Sequence, residues 1–388
     1  MSMMLALTGN EAGAYAMKQI DPDVVPAYPI TPQTELMQTF AQYVADGNVQ
    51  TEMILVESEH SAMSAAVGAS AAGARVMSAT SANGLALMWE IVYIAASTRL
   101  PIVMAVVNRA LSGPINIHCD HGDSMGCRDS GWVQLYSENS QEVYDNIIQA
   151  VKIAENKDVL LPVMVTYDGF IISHTVERVD AIEDDGVKKF IGEYKAKYPL
   201  LDVNNPVTYG PLDLQDYYFE HKVQEAEAMK KAKKVILKVG EEYEKLSGRR
   251  YGLFDEYYTN DAEYIVVALG STAGTAKAAV DDLRERGEKV GALKLRVFRP
   301  FPAEEIVRVL SGAKSVAVLD RSEGLNGIGG PVSAEIRAAL YRKAQLPVSS
   351  YVYGLGGRDI TPEMIAGVFE ELKEGKIYQE ACYLGVRE

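Results

Sequence analysis

Four short polar strings in the N-terminal third each follow an apolar run, and together they hold the residue types from which an active site is built. Tyr28-Pro29-Ile30-Thr31-Pro32 comes after Val24 to Ala27, and Glu57-Ser58-Glu59-His60 after Met53 to Val56. Thr80-Ser81-Ala82-Asn83-Gly84 follows Val76 to Ala79, and Asn108-Arg109 follows Ile102 to Val107. If the apolar runs are buried strands of an open α/β sheet, the strings emerge at the edge where such sheets bind ligands. A carboxylate, a guanidinium and several hydroxyls then converge.

Each residue has a plain reading and a sharper one. Glu59 opening a helix complements the helix dipole. Glu57, Glu59 and His60, however, lie within four positions between apolar runs, so at least one carboxylate is partly desolvated; a carboxyl that shares a proton with a bound ring nitrogen is the sharper reading. Arg109 ends an apolar run, and its fork suits the two oxygens of a substrate carboxylate. A salt bridge to Asp120 or Asp123 is the alternative. Thr31 offers a hydroxyl in a turn stiffened by Pro29 and Pro32, or else caps the helix beyond Pro32.

The elements that must hold these residues follow from pattern. The first 170 residues alternate apolar runs with helical stretches, the signature of a mostly parallel sheet. Strands are expected near 23–28, 52–57, 75–80, 101–108 and 160–167, with helices over Thr34–Val44, Ser61–Ala74, Leu85–Thr98 and Gln141–Glu155. The helix after Glu59 is rich in Ala and Gly, which permits close approach of a neighbour. Residues 177–210 read as a charged connecting arm, and Val223, Met229, Ile236, Val239, Tyr243 and Leu246 recur at helical spacing before a C-cap at Gly248. From Glu263 a second α/β pattern begins, with strands over 264–269, 289–297, 315–319 and 348–353 and a last helix over Pro362–Lys373. Gly270-Ser271-Thr272-Ala273-Gly274 lacks the spacing of a dinucleotide loop and reads as a tight strand-to-helix turn.

Composition removes several function classes. The 388 residues carry 38 basic and 53 acidic side chains, a net charge of −15, with no basic block to meet nucleic acid or an anionic membrane. Three cysteines without a Cys-x-x-Cys pair cannot build an iron–sulfur cluster from this chain alone. His118, Cys119, Asp120, His121 and Cys127 crowd one loop, but their spacing fits none of the usual zinc patterns, so a polar loop without metal is expected. The most apolar window, Leu85–Val107, is interrupted by Glu90, Arg99 and Pro101, which argues against a membrane span. The first residues lack a signal-peptide pattern, making a cytoplasmic location the default expectation.

The strings AYPITPQTE at 27–35, VESEHSAMSAAVGASAAGAR at 56–75, GLALMWEI at 84–91, RLPIVMAVVNRALSGPINI at 99–117, RDSGW at 128–132, LLPVMVTYDGF at 160–170, LRVFRPFP at 295–302 and GLGGRDITPE at 354–363 resemble the α subunit of pyruvate:ferredoxin oxidoreductase along the whole chain. The resemblance implies oxidative decarboxylation of pyruvate on thiamine diphosphate, transfer of the acyl group to coenzyme A, and reduction of ferredoxin through 4Fe–4S clusters. It implies an α/β chain with a mostly parallel thiamine-diphosphate pyrimidine-binding domain, arm and helix over residues 1–250. A second α/β domain resembling the transketolase C-terminal domain is implied over 251–388. It makes Glu59 the catalytic group that hydrogen-bonds the aminopyrimidine and so favours the tautomer able to deprotonate the thiazolium carbon. Thr31 and Arg109 then hold the substrate carboxylate, and Tyr28, Pro29 and Asn83 contact cofactor. No metal ligand is implied in this chain.

The chain has no Gly-Asp-Gly with a distant Asn for magnesium and diphosphate. By the resemblance, Mg2+ and the clusters belong to a β subunit and a ferredoxin-like δ subunit, with a γ subunit completing the complex. Oxalate-specific relatives carry an arginine at the position of Thr31, which separates this chain from them. A related enzyme for branched-chain or other 2-oxoacids and a non-catalytic α/β assembly subunit are the alternatives. A nicotinamide dehydrogenase is disfavoured by the missing phosphate-binding glycine motif. The family commonly has other residues at Ala82-Asn83 and His118-Cys119-Asp120, near the cofactor and the substrate arginine.

Overall fold

Runs that are apolar at every position form strands covered on both faces, and this pattern governs the protein. The computed structural model describes residues 3–387. The chain begins with β1 (Met3–Leu7) and α1 (Gly9–Ile20), then alternates β2 (Val24–Ala27), α2 (Thr34–Ala45), β3 (Glu52–Leu55), α3 (Glu59–Ala72) and β4 (Met77–Thr80). Helices α4 (Ala82–Leu87) and α5 (Trp89–Ser97) lead to β5 (Val103–Asn108), the one-turn α6 (Gly122–Gly126), β6 (Val133–Tyr136), α7 (Ser140–Ala154), β7 (Val163–Asp168) and β8 (Glu177–Ala181). After α8 (Asp184–Ile191), the long α9 (Tyr218–Ser247) carries the chain to β9 (Phe254–Tyr257). There follow β10 (Tyr264–Leu269), α10 (Thr272–Glu285), β11 (Val290–Leu295), β12 (Val297–Arg299), α11 (Ala303–Leu310) and β13 (Ser315–Asp320). The chain closes with α12 (Pro331–Leu340), β14 (Val348–Tyr353), α13 (Pro362–Lys373) and β15 (Ala381–Leu384).

Two α/β sheets result. One has the order β12-β6-β7-β5-β4, parallel except for β12. The parallel pair β2-β3 continues its β4 edge through a bridge between Val24 and Val76. The other sheet has the order β15-β14-β13-β10-β11-β9, with only β9 antiparallel. Along β5, Val103, Ala105 and Val107 enter one apolar cluster with Ile147 and Val165. Met104 and Val106 enter another with Leu85, Val92 and Trp132, so the sheet is sandwiched between two helical layers.

The expected strands and helices of both halves are present, including α13 at its expected limits. The seam helix is α9, closed by Gly248 at φ 74°. Its buried stripe runs through Ala228, Ala232, Ile236, Val239 and Tyr243, whereas Val223 and Leu246 are exposed. Four expectations need correction, the first being the arm over 177–210, whose opening part is β8, paired antiparallel with β1, followed by α8. The helix anticipated over Leu85–Thr98 starts at Ala82 and breaks at Met88, whose backbone (φ −89°, ψ 9°) leaves the helical region. Sequence reading passed over β6, because Gln134 interrupts its apolar run; that side chain is buried and donates to the Ser124 carbonyl at 2.8 Å. The single strand anticipated over 289–297 is two, since the chain turns at buried Arg296 and β12 joins the first sheet beside β6. Arg296 is fastened across the seam to Asn146, Gln149 and the Gly252 carbonyl at 2.8, 3.1 and 3.0 Å. Residues 1–2 and 388, at the ends of the two expected domains, lie outside the described residues.

Candidate active site

The parallel strands β2, β3, β4, β5 and β7 end on the same side of the first sheet, and the polar strings leave from those ends. Ser58 caps α3 by accepting from the Ser61 amide at 3.2 Å, which makes Glu59 the first helical residue. Glu59 is 6% exposed, and no hydrogen bond or ion pair engages its carboxylate among the described residues. It lies against α4: a Cβ on Gly84 would stand 2.7 Å from Glu59 Oε1 and 2.5 Å from Thr80 Oγ1. Only glycine leaves that approach open. Glu57 is exposed and accepts from the Ser61 hydroxyl, which holds its carboxyl below the usual range. Of the two glutamates, Glu59 is therefore the desolvated one.

Arg109 and Thr31 meet. The Arg109 guanidinium, 8% exposed, donates from Nη1 to the Thr31 carbonyl at 3.0 Å and from Nε to the Asn116 carbonyl at 3.1 Å. The alternative of a salt bridge to Asp120 or Asp123 is not what forms: Asp123 accepts from the Arg109 backbone amide instead, at 3.0 Å. With neutral carbonyls on two donors, the fork keeps charge and further N–H groups for an anion. Thr31 does not cap a helix, because α2 begins after Gln33. Its turn is fixed from behind, where Asn10 donates to the Pro32 carbonyl at 2.8 Å and accepts from the Tyr167 hydroxyl at 2.9 Å. Tyr28, 37% exposed, and Pro29, also exposed, stand at the rim. Asn83 accepts from the Ser112 amide and hydroxyl at 3.2 and 3.0 Å, tying α4 to the loop that carries Asn116. Asn116 in turn donates to the Gly356 carbonyl at 3.1 Å, so the second half of the chain also supports that loop.

Two buried aspartates hold the site together, Asp123, which the sequence offered only as a salt-bridge partner for Arg109, and Asp168, which it did not single out. Asp123 on α6 accepts from the amides of Ala82, Arg109 and Ser124 and from Asn108 Nδ2. Burial raises its carboxyl to about 6, since these neutral donors recover only part of the lost hydration. Asp168, closing β7, meets His121 Nε2 at 2.7 Å, Arg321 Nη1 at 3.2 Å and the Ser271 hydroxyl at 2.5 Å. Burial alone would raise it, but the His121 ring and Arg321 guanidinium hold it well below the usual carboxylate range. The signal available was position: like Arg109, each lies at or just beyond the end of a buried strand or in the loop that follows one.

The crowded loop resolves into two parts. Cys119, His121 and Asp168 bring possible ligand atoms within 4.8 Å of one another. The Arg321 guanidinium already supplies a cation to this cluster, pairing with Asp168 at 3.2 Å and interacting with Cys119. Burial pushes both the Cys119 and Cys127 thiols upward, away from thiolate chemistry. Gly270, at φ 66°, forms the tight turn expected before α10, and a Cβ there would stand 2.7 Å from Asp168.

Comparison with known proteins supplies the remaining context. The family described as "Pyruvate flavodoxin/ferredoxin oxidoreductase, thiamine diP-bdg" matches residues 15–241, and "Pyruvate:ferredoxin oxidoreductase core domain II" matches residues 262–365. The chain is 61% identical to pyruvate synthase subunit PorA of Thermotoga maritima over 99% of its length and 98% of that protein. Its fold is similar to a 2-oxoglutarate:ferredoxin oxidoreductase from Magnetococcus marinus, solved with 2-oxoglutarate, coenzyme A and succinyl-CoA bound. The TM-score is 0.73 at 19% identity, covering 95% of this chain, which spans 65% of the length of that one. A split-gene transketolase, an inactive beta4 tetramer, has a TM-score of 0.58 at 12% identity, over 95% of this chain and 98% of that one.

Proposed function

This chain belongs to the pyruvate flavodoxin/ferredoxin oxidoreductase family, and from that premise we propose that it is the α subunit of an enzyme that oxidises pyruvate with coenzyme A to acetyl-CoA and CO2. The two electrons released pass to ferredoxin. Residues 1–250 form the pyrimidine-side module for thiamine diphosphate, and 251–388 form a transketolase-like unit. A β subunit carries diphosphate, Mg2+ and cluster sites, and γ and ferredoxin-like δ subunits complete a cytoplasmic complex. No helix among the described residues is long and apolar enough to cross a membrane.

The observation that carries this reading is the Glu59 carboxylate, nearly buried and unengaged by the protein's own donors among the described residues. A buried acceptor without a partner is costly, and a ring N–H is a fitting one. Thiamine diphosphate, when bound, supplies the carbon nucleophile and electron sink that decarboxylation of a 2-oxoacid needs. Glu59 holds a proton between its carboxylate and the pyrimidine nitrogen. Arg109 offers its remaining N–H groups to the pyruvate carboxylate, beside Thr31, whose small side chain leaves room for the methyl ketone. Tyr28, Pro29 and Asn83 border the pyrimidine.

Glu59→Gln in the assembled complex is expected to lower turnover by roughly two to four orders of magnitude, the scale of a lost acid–base function. Glu57→Gln is expected to leave turnover within about threefold, because Glu57 is solvated. Steady-state pyruvate oxidation with both variants decides it. Near-normal turnover of Glu59→Gln would remove the carboxylate from the mechanism.

A further inference from the structure

The Asp123 side chain is 3% exposed on a one-turn helix, and its two oxygens take four N–H donors. Oδ2 accepts from the backbone amides of Ala82 and Arg109, both at 3.0 Å. Oδ1 accepts from Asn108 Nδ2 and the Ser124 amide, both at 2.7 Å. Every lone pair directed at the protein is thus used, and no lysine, arginine or histidine forms an ion pair with it among the described residues.

The donors come from both working parts of the candidate site. Ala82 opens α4 with φ 37°, a left-handed backbone that a residue with a Cβ rarely adopts, so the bond to Asp123 holds a conformation the local sequence disfavours. Two residues on, Gly84 packs against Glu59. Arg109 begins the loop whose guanidinium bonds to the carbonyls of Thr31 and Asn116. A single carboxylate therefore links the backbone under the substrate arginine to the backbone in front of Glu59.

We propose that Asp123 is a positioning residue: by gripping the amides of Ala82 and Arg109 with one oxygen, it sets the distance and angle between the Glu59 wall and the Arg109 carboxylate clamp. This rests on the reading of Glu59 and Arg109 given above. A neutral amide of the same shape cannot do the same work, because Asn presents one acceptor oxygen and one NH2 group. Whichever way it turns, one pair of N–H donors faces another donor.

The test is steady-state kinetics of the assembled complex. Asp123→Asn is expected to raise the KM for pyruvate about tenfold, the effect of leaving a buried donor unpaired. The KM for coenzyme A should stay within about twofold, since the displaced groups face the 2-oxoacid. A general loss of structure would lower kcat by reducing the active fraction and leave the pyruvate KM where it was. The paired exchange Asn108→Asp with Asp123→Asn restores a donor–acceptor match between the two side chains and keeps an oxygen toward Ala82 and Arg109, leaving only the Ser124 amide facing a donor. It is expected to return the pyruvate KM to within about threefold of the parent. Arg109→Lys tests the clamp separately from its support. If Arg109→Lys raises the pyruvate KM and Asp123→Asn does not, the positioning role is overturned. If Arg109→Lys leaves it unchanged, the reading of the clamp itself fails. Should neither Asp123 variant assemble, the residue is a folding element and the proposal is withdrawn.

Discussion

Asp123 and Asp168 are both buried, both at the ligand-side ends of the first sheet, and both saturated with hydrogen bonds, yet their carboxyls move in opposite directions. Asp123 is held by neutral N–H groups and rises to about 6. Asp168 is held by Arg321, His121 and Ser271 and falls well below the usual range. Dipoles orient a buried carboxylate without repaying its desolvation, whereas a full opposite charge repays it and more. The division matches location. Asp123 stitches loops within the candidate site, and Asp168, beside His121, reaches across the seam between the halves to Ser271 and Arg321.

The largest expected effect is at Asp168. Asp168→Asn leaves the Arg321 guanidinium buried without its anion, which should cost about 3–5 kcal/mol of stability. Asp123→Asn strands neutral donors only, about 1–3 kcal/mol. Denaturant titration of both variants checks the ranking, and an Asp123 variant that loses as much as the Asp168 variant would break the contrast between charge and dipole.

A pH series sharpens the same contrast. The Asp123 carboxyl is raised from 3.8 to about 6, so between those values the folded chain binds more protons than the unfolded one. Its contribution to stability is fully present below about pH 3.8 and is lost as pH rises through about 6, at roughly 1.4 kcal/mol per unit of pKa separation. Asp168 runs the other way: its contribution is present above the ordinary carboxylate range and is lost on acidification. Unfolding free energies from pH 4 to 7 should therefore show a falling limb that is shallower in Asp123→Asn than in the parent, Asp320, raised to about 7, supplying part of it in both, and that is retained in full in Asp168→Asn.

The smallest effect is expected at Ser271. Ser271→Ala removes one neutral hydroxyl from Asp168 while the Ser271 amide at 3.2 Å and both ring and guanidinium partners remain, so a loss of about 1 kcal/mol is expected. A shift in denaturation midpoint as large as that of Arg321→Met would mean that the hydroxyl, not the cation, secures Asp168.

The sequence made the sheet and its loaded edge legible because each signal was local. Val103 to Val107 is apolar at every position, and Glu59 sits one residue after a capping serine. The aspartates were illegible as hubs because their meaning depends on partners far along the chain, Arg321 lying 153 positions from Asp168. Asp123 was legible only as a charge near Arg109, and the bond it forms is to that residue's backbone rather than its side chain. Among the strands absent from the sequence reading, which also include β1, β8, β9 and β15, β6 and β12 were hidden for a related reason. Gln134 and Arg296 look like interruptions in sequence and become buried once their polar groups find partners, Gln134 on the Ser124 carbonyl and Arg296 across the seam on Asn146 and Gln149.

The crossing of β12 into the first sheet has a consequence for how this protein can be taken apart. A polypeptide stopped near residue 250 would retain β6 but lose the strand that covers it, leaving unpaired amides and carbonyls along a buried strand made an edge. Such a fragment would seek a substitute strand from another copy of itself. The first half thus depends on the second for a strand of its own sheet.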